Sequence, residues 1–229
     1  IKKYLNNEVK IIIILRNPID RAFSAYTHVS RSIKENLSFQ NQAFIGGKFC
    51  NSDSGETFEC ISPSTGKTLT KVANCSEQDV NKAVKLARSA FESGKWADLS
   101  PAERKNRLLK LSSLIMDNID EFALLDSLDM GKPVEDCVAI DVPGAAGILQ
   151  WTAEAIDKVS DEISPTEKRN LAMVKRVPLG VVGAVVPWNF PLDMAIWKCA
   201  PALATGNSVL LKPAEQSPLS ALKLAELSI

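Results

Sequence analysis

The sequence predicts an α/β protein built on a doubly wound, Rossmann-like parallel sheet. The first observation is the Val-rich run from Gly180 to Val186, bounded by Pro178 and Pro187. Such a run is typical of a strand that is buried on both faces of a parallel sheet, so we expect a central strand. The second is a similar apolar run, Ser208 to Leu211, which follows a helical connection. Together they form the strand–helix–strand unit from which parallel sheets are assembled.

The helical connection is predicted from Leu192 to Leu203, because Pro191 fits a first helical turn and Gly206-Asn207 is a stop signal. Ligands of parallel sheets bind at the carboxyl ends of the strands. Polar residues stand there after both strands, at 187–189 and at 212–215. The spacing therefore predicts a nucleotide-binding crevice between these two segments.

The first half of the chain predicts small strands and then helices. A β-branched run, Lys10 to Leu15, is read as a strand followed by a helix. Ala43 to Cys50 reads as a hairpin, and Thr57 to Ile61 with Thr68 to Ala73 reads as a second antiparallel pair. Helices are predicted from Ser76, with Asp79 three residues on, and from the Ser100–Glu103 capping box.

The second half adds further elements in the same way. Asp120 to Met130 predicts a helix ended by Gly131. Val134 to Val159 predicts a longer helix, kinked near Pro143-Gly144, and Leu171 to Val177 alternates as in a strand. A last helix is predicted to begin near Ser217-Pro218.

Composition excludes several classes of protein. The 229 residues include 27 basic and 27 acidic side chains, so no net charge favours nucleic acid or a membrane surface. Five cysteines and one histidine, His28, form no metal-ligand pattern, which predicts no metal, reduced thiols and a cytoplasmic location. Because the chain starts at Ile1 and stops at Ile229 inside a helical pattern, we expect an incomplete reading frame.

Three ordered motifs resemble the NAD(P)-dependent aldehyde dehydrogenases. They are V-P-W-N-F-P at 186–191, W-K-C-A-P-A-L-A-T-G-N at 197–207 and L-K-P-A-E-Q-S-P at 211–218. The resemblance runs from about Ala43 to the end of the chain. The segments 141–146 and 151–159 are most similar to the branch that oxidises gamma-glutamyl-gamma-aminobutyraldehyde in putrescine breakdown.

The resemblance implies roles for three polar residues. Asn189 matches the asparagine whose side-chain amide stabilises the oxyanion of the reacting aldehyde, although a helix N-cap is an alternative role. Lys212 and Glu215 match residues that bond the ribose hydroxyls of the cofactor, the alternative being a solvated loop. Because a carboxylate repels a 2'-phosphate, Glu215 favours NAD over NADP.

Other positions are matched to the walls of the site. The resemblance implies cofactor lining by Val185, Val186, Pro187 and Trp188. It implies a substrate tunnel lined by Phe190, Asp193, Met194 and Trp197. Packing in the core is the alternative for the apolar members. For Asp193 the alternatives are selection of a substrate that carries an amino group and a surface role.

No cysteine of this chain stands in the family's nucleophile motif, and the matching glutamate base and glycine-rich turn are also absent. Cys199 is interpreted as a small buried apolar residue. We therefore expect the 229 residues alone to be inactive, because covalent catalysis without the thiolate has no first step. The resemblance also implies a small aldehyde as substrate, and homo-oligomers among full-length relatives.

A second resemblance covers about the first forty residues. L-R-N-P-I-D-R-A-F-S-A-Y at 15–26 is similar to the segment of sulfotransferases that binds the 3'-phosphate of the sulfate donor PAPS. Arg16 and Ser24 match its phosphate-binding residues, while a generic strand-to-helix turn is the alternative. The prediction is a sulfotransferase-like remnant at 1–40, followed by the amino-terminal part of a dehydrogenase at 41–229.

Four hypotheses follow. The chain is part of an aldehyde dehydrogenase, a sulfotransferase fragment that binds the 3'-phosphate of PAPS, a non-catalytic assembly module, or a non-functional fusion fragment. An open apolar sheet edge would make the last of these prone to aggregation.

Overall fold

The computed structural model describes residues 11–13 and 39–228. Its strands are β1 (Ile11–Ile13), β2 (Ala43–Ile45), β3 (Lys48–Cys50), β4 (Thr57–Ile61), β5 (Thr68–Ala73), β6 (Glu162–Ser164), β7 (Ala172–Val174), β8 (Val181–Val185) and β9 (Ser208–Lys212). Its helices are α1 (Glu77–Glu92), α2 (Pro101–Asp117), α3 (Ile119–Met130), α4 (Val134–Asp136), α5 (Val142–Ala155), α6 (Pro191–Ala204) and α7 (Leu219–Leu227).

The main sheet has the strand order β3-β2-β1-β9-β8. Strand β9 runs parallel to both of its neighbours, β1 and β8. On one face of the sheet, Val209 and Leu211 belong to the large apolar cluster that contains α2, α5, α6 and α7. Leu210 joins a second cluster with Ala83 and Ala87 of α1. Helices thus flank β9 on both faces, as the predicted doubly wound fold requires.

The prediction that the Val-rich strand is central and buried on both faces is wrong within the described residues. β8 lies at the edge of the sheet and pairs with β9 alone among the described strands. Val181 packs against the cluster that contains α1, but further along the same face Gly183 is exposed and Val185 is 69% exposed. β9, by contrast, is buried from Ser208 to Leu211, and only its last residue, Lys212, is partly exposed.

Most helix ends lie where the sequence predicts them. Ser76 with Asp79 and Ser100 with Glu103 both form capping boxes at the starts of α1 and α2. Gly131 ends α3 in the left-handed conformation, with φ at 83°. The hairpins β2–β3 and β4–β5 are also confirmed.

The predicted long helix with an irregularity near Pro143 is confirmed, and the irregularity is a π-helical turn. α4 continues through a π-helical turn at Cys137–Asp141 into α5, which is followed by a 3-10 turn at Ile156–Lys158. Pro143 has no backbone N–H to donate, and the hydrogen bond from Val142 to the Cys137 carbonyl bridges the discontinuity just before it.

The predicted strand at 171–177 is shorter than expected. Only β7 forms there, and it pairs with β6, which the sequence did not predict. Both strands are short and largely exposed, so neither carries the apolar face that makes a strand recognisable. No helix within residues 39–228 has the length and apolar character needed to cross a bilayer.

Gly131 offers a test of the turn after α3. A Cβ at this position would lie 2.7 Å from the Pro63 side chain, whereas a Cβ at Gly66 would meet nothing within 4 Å although φ is similarly positive. We expect Gly66→Ala to lower the free energy of unfolding by about 1 kcal/mol, from backbone strain alone. Gly131→Ala should lower the free energy of unfolding by about 2 to 4 kcal/mol, because the clash with Pro63 adds to the backbone strain. Urea denaturation of both variants measures the difference, and equal losses would show that Pro63 yields freely.

Candidate active site

Two loops lie side by side at the carboxyl ends of β8 and β9, as the sequence predicts. The Val186 backbone N–H donates to the Lys212 carbonyl at 3.1 Å, which prolongs the parallel ladder beyond β8. The Ser217 hydroxyl donates to the Trp188 carbonyl at 3.0 Å. Ser217 is fully buried and was missed by the sequence reasoning, since a serine before a proline carries only the signal of a helix start.

Lys212 and Glu215 form an ion pair on the β9 side of the crevice. Their Nζ and Oε1 atoms are 2.6 Å apart, and Nζ also donates to the Pro213 carbonyl at 3.1 Å. Both side chains are partly buried, so the loop is ordered by its own contacts and is not a freely solvated segment. A fixed ammonium donor beside a carboxylate acceptor can bind a pair of neighbouring hydroxyl groups.

Asn189 lies on the β8 side of the crevice, exposed at the start of α6. The alternative role as helix N-cap is wrong, because Phe190 occupies that position and no side chain caps the helix. Within the described part of the chain, no hydrogen bond engages the Asn189 amide. The amide is thus available as a donor next to the positive end of a helix dipole, where developing negative charge is stabilised.

The residues matched to the cofactor lining divide into two groups. Val185, Pro187 and Trp188 are exposed at the crevice. Val186 is only 5% exposed and belongs to the large apolar cluster, which is the alternative that the sequence left open for it.

The residues matched to the substrate tunnel share one face of α6, because they are spaced three, four and seven residues apart. Phe190 and Trp197 are exposed at 39% and 58%, which is unusual for aromatic residues whose role is core packing. Met194 is partly buried against the large cluster. Asp193 is half-buried, so a purely surface role does not describe it.

Asp193 has an unsatisfied carboxylate. Its Oδ1 atom is buried without a hydrogen-bond partner among the described residues. Burial, and then the nearby charge of Asp141, raises the pKa of Asp193 to about 6, while Lys132 acts in the opposite direction. The carboxylate lies against α5, where a Cβ added at Gly144 would be 3.4 Å from Oδ1.

Lys132 contacts two other groups near this carboxylate, and no sequence motif pointed to it. Its Nζ lies 2.6 Å and 2.7 Å from the two oxygens of the buried Asp141 carboxylate. The same Nζ is 4.7 Å from the centroid of the Phe190 ring, within range of a cation–π interaction.

Two further acids lie beneath this group, on α3. Asp126 is fully buried, and neither of its oxygens has a hydrogen bond of normal geometry to a described residue. Burial raises the pKa of Asp126 to about 7, despite smaller opposing effects from the nearby Ser220 side chain and Leu192 backbone. Burial and then Asp126 hold the pKa of Asp129 well above its ordinary value, although Asp129 accepts from the Leu219 amide at 2.9 Å.

The cysteines are not placed for nucleophilic attack. Cys60, Cys75, Cys137 and Cys199 are buried, and burial raises the pKa of Cys199 to about 12, which confirms its interpretation as an apolar residue. Cys50 is on β3, at the opposite edge of the sheet from β8. The proposed phosphate ligands Arg16 and Ser24 lie outside the described residues.

The Lys212–Glu215 pair and the exposed Asn189 amide lie at the carboxyl ends of two parallel strands, which is where α/β folds bind their ligands. Residues 49–228 match the model of the aldehyde dehydrogenase family. The chain belongs to that family, whose members are oxidoreductases that act on aldehydes, and it has the corresponding α/β fold in part.

Known relatives agree with this assignment. The chain is 48% identical to an NADP/NAD-dependent aldehyde dehydrogenase, PuuC, of Escherichia coli, over 84% of this chain and 39% of the relative. It is 47% identical to an aminoacetaldehyde dehydrogenase of Pseudomonas aeruginosa, over 86% of this chain and 40% of the relative. It is 50% identical to the solved gamma-glutamyl-gamma-aminobutyraldehyde dehydrogenase of Burkholderia cenocepacia, with a TM-score of 0.85 over 86% of this chain and 40% of that one. The chain thus spans about 40% of the length of these relatives.

The buried acids predict how stability depends on pH. An unfolded Asp has a pKa of about 3.9, whereas Asp126 in the folded chain has a pKa of about 7. The folded state therefore holds a proton that the unfolded state releases. The stability that this proton provides is fully present below about pH 4 and is lost as pH rises through 7. Between pH 5 and 7, we expect the free energy of unfolding to fall less steeply in Asp126→Asn than in the parent chain. The two slopes should differ by up to about 1 kcal/mol per pH unit.

Chemical denaturation across this pH range measures the slope. Asp157→Asn is the matched control, because hydrogen bonds from Lys105 and Lys158 lower the pKa of Asp157 to about 2, below the range tested. An Asp126→Asn variant with the slope of the parent chain would contradict the assignment of the proton to this site.

Proposed function

We propose that this chain is the amino-terminal part of an NAD-dependent aldehyde dehydrogenase that oxidises an aldehyde to a carboxylic acid. The observation that carries the proposal is the side-by-side placement of the loops after β8 and β9, within the segment that matches the family. This placement puts Asn189 and the Lys212–Glu215 pair at one end of the parallel sheet.

The strand-end loops fit an adenosine ribose. Lys212 would donate to a ribose hydroxyl, and Glu215 would accept from the pair of hydroxyls. The carboxylate would repel a 2'-phosphate, so NAD is favoured over NADP, although a relative is named for both cofactors. Val185, Pro187 and Trp188 would line the cofactor, with Val186 supporting them from the core. NAD supplies the acceptor for the hydride that leaves the substrate.

Asn189 is proposed as one donor to the oxyanion that forms when the aldehyde is attacked. Its exposed amide at the start of α6 supports this role, because a preorganised donor costs no reorganisation as the charge develops. The Trp188 carbonyl on its amino-terminal side is held by Ser217, which would restrict movement of the Asn189 backbone.

The substrate is proposed to be an aldehyde that carries an amino group, such as gamma-glutamyl-gamma-aminobutyraldehyde. Phe190, Met194 and Trp197 would form an apolar wall for the carbon chain. The partly exposed carboxylate of Asp193 would favour an ammonium group. Two relatives named for amino-containing aldehydes support this choice.

The 229 residues alone are proposed to bind NAD without turning over an aldehyde. Every cysteine is either buried or at the far edge of the sheet, so no thiolate is placed to attack a substrate near Asn189.

A homo-oligomer is proposed for the full-length protein. Ile163 on β6, and Leu171 and Met173 in and beside β7, are 70% or more exposed. Such a strongly apolar, exposed hairpin is suited to pairing with a partner surface.

The cofactor site predicts the effect of two substitutions. Lys212→Ala and Glu215→Ala should each weaken NAD binding about tenfold or more, because each removes a hydrogen bond to or from a charged group. Isothermal titration calorimetry of the 229-residue chain measures the dissociation constant, with exposed Lys198→Ala on α6 as control. Glu215→Gln should narrow the preference for NAD over NADP. Unchanged NAD affinity in both alanine variants would exclude this site.

The assignment of residues 1–40 to a sulfotransferase-like segment stays a prediction. If Arg16 and Ser24 form a 3'-phosphate site, the chain binds adenosine 3',5'-bisphosphate, and Arg16→Ala abolishes that binding while NAD binding persists. Fluorescence competition with both nucleotides separates the two sites. Absence of binding by the parent chain would leave the dehydrogenase segment as the only nucleotide site proposed.

A further inference from the structure

Lys132 occupies a position between three elements of the candidate site. It follows Gly131, whose left-handed conformation turns the chain at the end of α3. Its ammonium contacts Asp141 on the π-helical turn and lies over the ring of Phe190 at the start of α6. The Lys132 side chain is 22% exposed and Asp141 is 2% exposed, so the pair is largely removed from water.

More acidic groups than basic groups surround the Lys132–Asp141 pair. The groups that act on Asp193 are Asp141 and Lys132, and Asp126 on α3 is coupled to both Asp141 and Asp193. Lys132 engages both oxygens of Asp141, while Asp193 Oδ1 and both oxygens of Asp126 have no hydrogen-bond partner among the described residues. Lys132 thus binds Asp141 and acts on Asp193, and Asp193 is the one member of the three acids that is partly exposed.

We propose that Lys132 is a specificity-determining residue. It forms an ion pair with Asp141 and positions the ring of Phe190, so that Asp193 alone is free to bind a substrate amino group. The ion pair satisfies the more buried carboxylate, and the ring of Phe190 is held beside the half-buried one. A neutral aldehyde gains nothing from this arrangement, whereas an ammonium group supplies the missing positive charge.

An ammonium group suits the arrangement better than a metal ion does. Among residues 39–228, no set of three or more His, Cys, Asp or Glu side chains is arranged to hold a metal. An ammonium group needs only one or two acceptor oxygens and can keep the remainder of its hydration on the exposed side.

The inference rests on the proposed function, but its test does not involve the nucleotide. Loss of NAD binding in the variants of Lys212 and Glu215 concerns the cofactor site alone. The titration of Asp193 and its response to amines concern the wall of the tunnel alone, so either can fail while the other holds.

The experiment follows the carboxyl groups of Asp193 and Asp141 by carbon-13 NMR in the 229-residue chain, assigned with Asp→Asn variants. The probes are 3-aminopropanol, which carries an ammonium group, and 1-butanol, a neutral molecule of similar size. We expect the amine to lower the pKa of Asp193 and to leave Asp141 unchanged, and 1-butanol to affect neither.

Substitution of Lys132 gives the decisive comparison. In Lys132→Met, the pKa of Asp193 should rise by about one unit, because a nearby opposite charge lowers a carboxyl pKa by roughly one to three units. The amine should then perturb Asp141 as well as Asp193. Lys132→Arg should retain the parent pattern, since the charge is kept. In Lys132→Met/Asp141→Asn, where the Asp141 charge is removed together with its partner, the amine should still lower the pKa of Asp193.

Lys105→Met is the control, because it removes a lysine from an ion pair with Asp157 that lies outside the group. It should change neither the titration of Asp193 nor the effect of the amine. An Asp193 pKa that Lys132→Met leaves unmoved would overturn the proposal, as would equal effects of the amine and the alcohol. Loss of the amine response in the double variant would also overturn it, because Lys132 would then act by a route other than neutralising Asp141.

Discussion

The parallel pairing of β8 with β9 is the interaction on which the rest of the site depends. β9 is buried on both faces, with Val209 and Leu211 in the large apolar cluster and Leu210 against α1. The register then brings Val185 opposite Lys212, and the next backbone hydrogen bond joins Val186 to Lys212. Because both strands run in the same direction, their polar ends meet at one edge of the sheet, and Asn189 and Glu215 are positioned by the strand pairing.

A second constraint is the burial of acidic groups beneath α6. Asp126 and Asp129 are almost fully enclosed between α3 and α7, and such groups are costly to ionise in a medium of low polarity. Asp141 is hydrogen-bonded to Lys132, whereas Asp193 retains an oxygen without a partner among the described residues. Burial thus raises the pKa of carboxyl groups both in the interior, at Asp126 and Asp129, and at the face of α6, at Asp193. These acids distinguish the face of α6 from the loop after β9, where Lys212 and Glu215 form an ion pair.

Residues in contiguous motifs were predictable because their signals are local. The bounds of α6 and β9, the capping boxes at Ser76 and Ser100, and the turn at Gly131 follow from side chains within a few positions of each other. Lys132 and Ser217 were not predictable in this way. Lys132 contacts Asp141 and Phe190, and Ser217 contacts Trp188, only because folding brings them together. A single lysine or serine in a sequence does not indicate such a partner.

The sequence by itself determined the family, the α/β class and the residues that occupy the ends of the two parallel strands. Only the tertiary structure decided which strand is enclosed, which valine lies in the core and whether Asn189 caps α6. In the structure, β9 and not β8 is covered on both faces. Val186 is buried while Val185 is exposed, and Phe190 is the N-cap of α6 while Asn189 is exposed. The physical reason is that helix and strand patterns depend on neighbours along the chain, whereas burial, ion pairing and pKa depend on groups that are distant in sequence and adjacent only after folding.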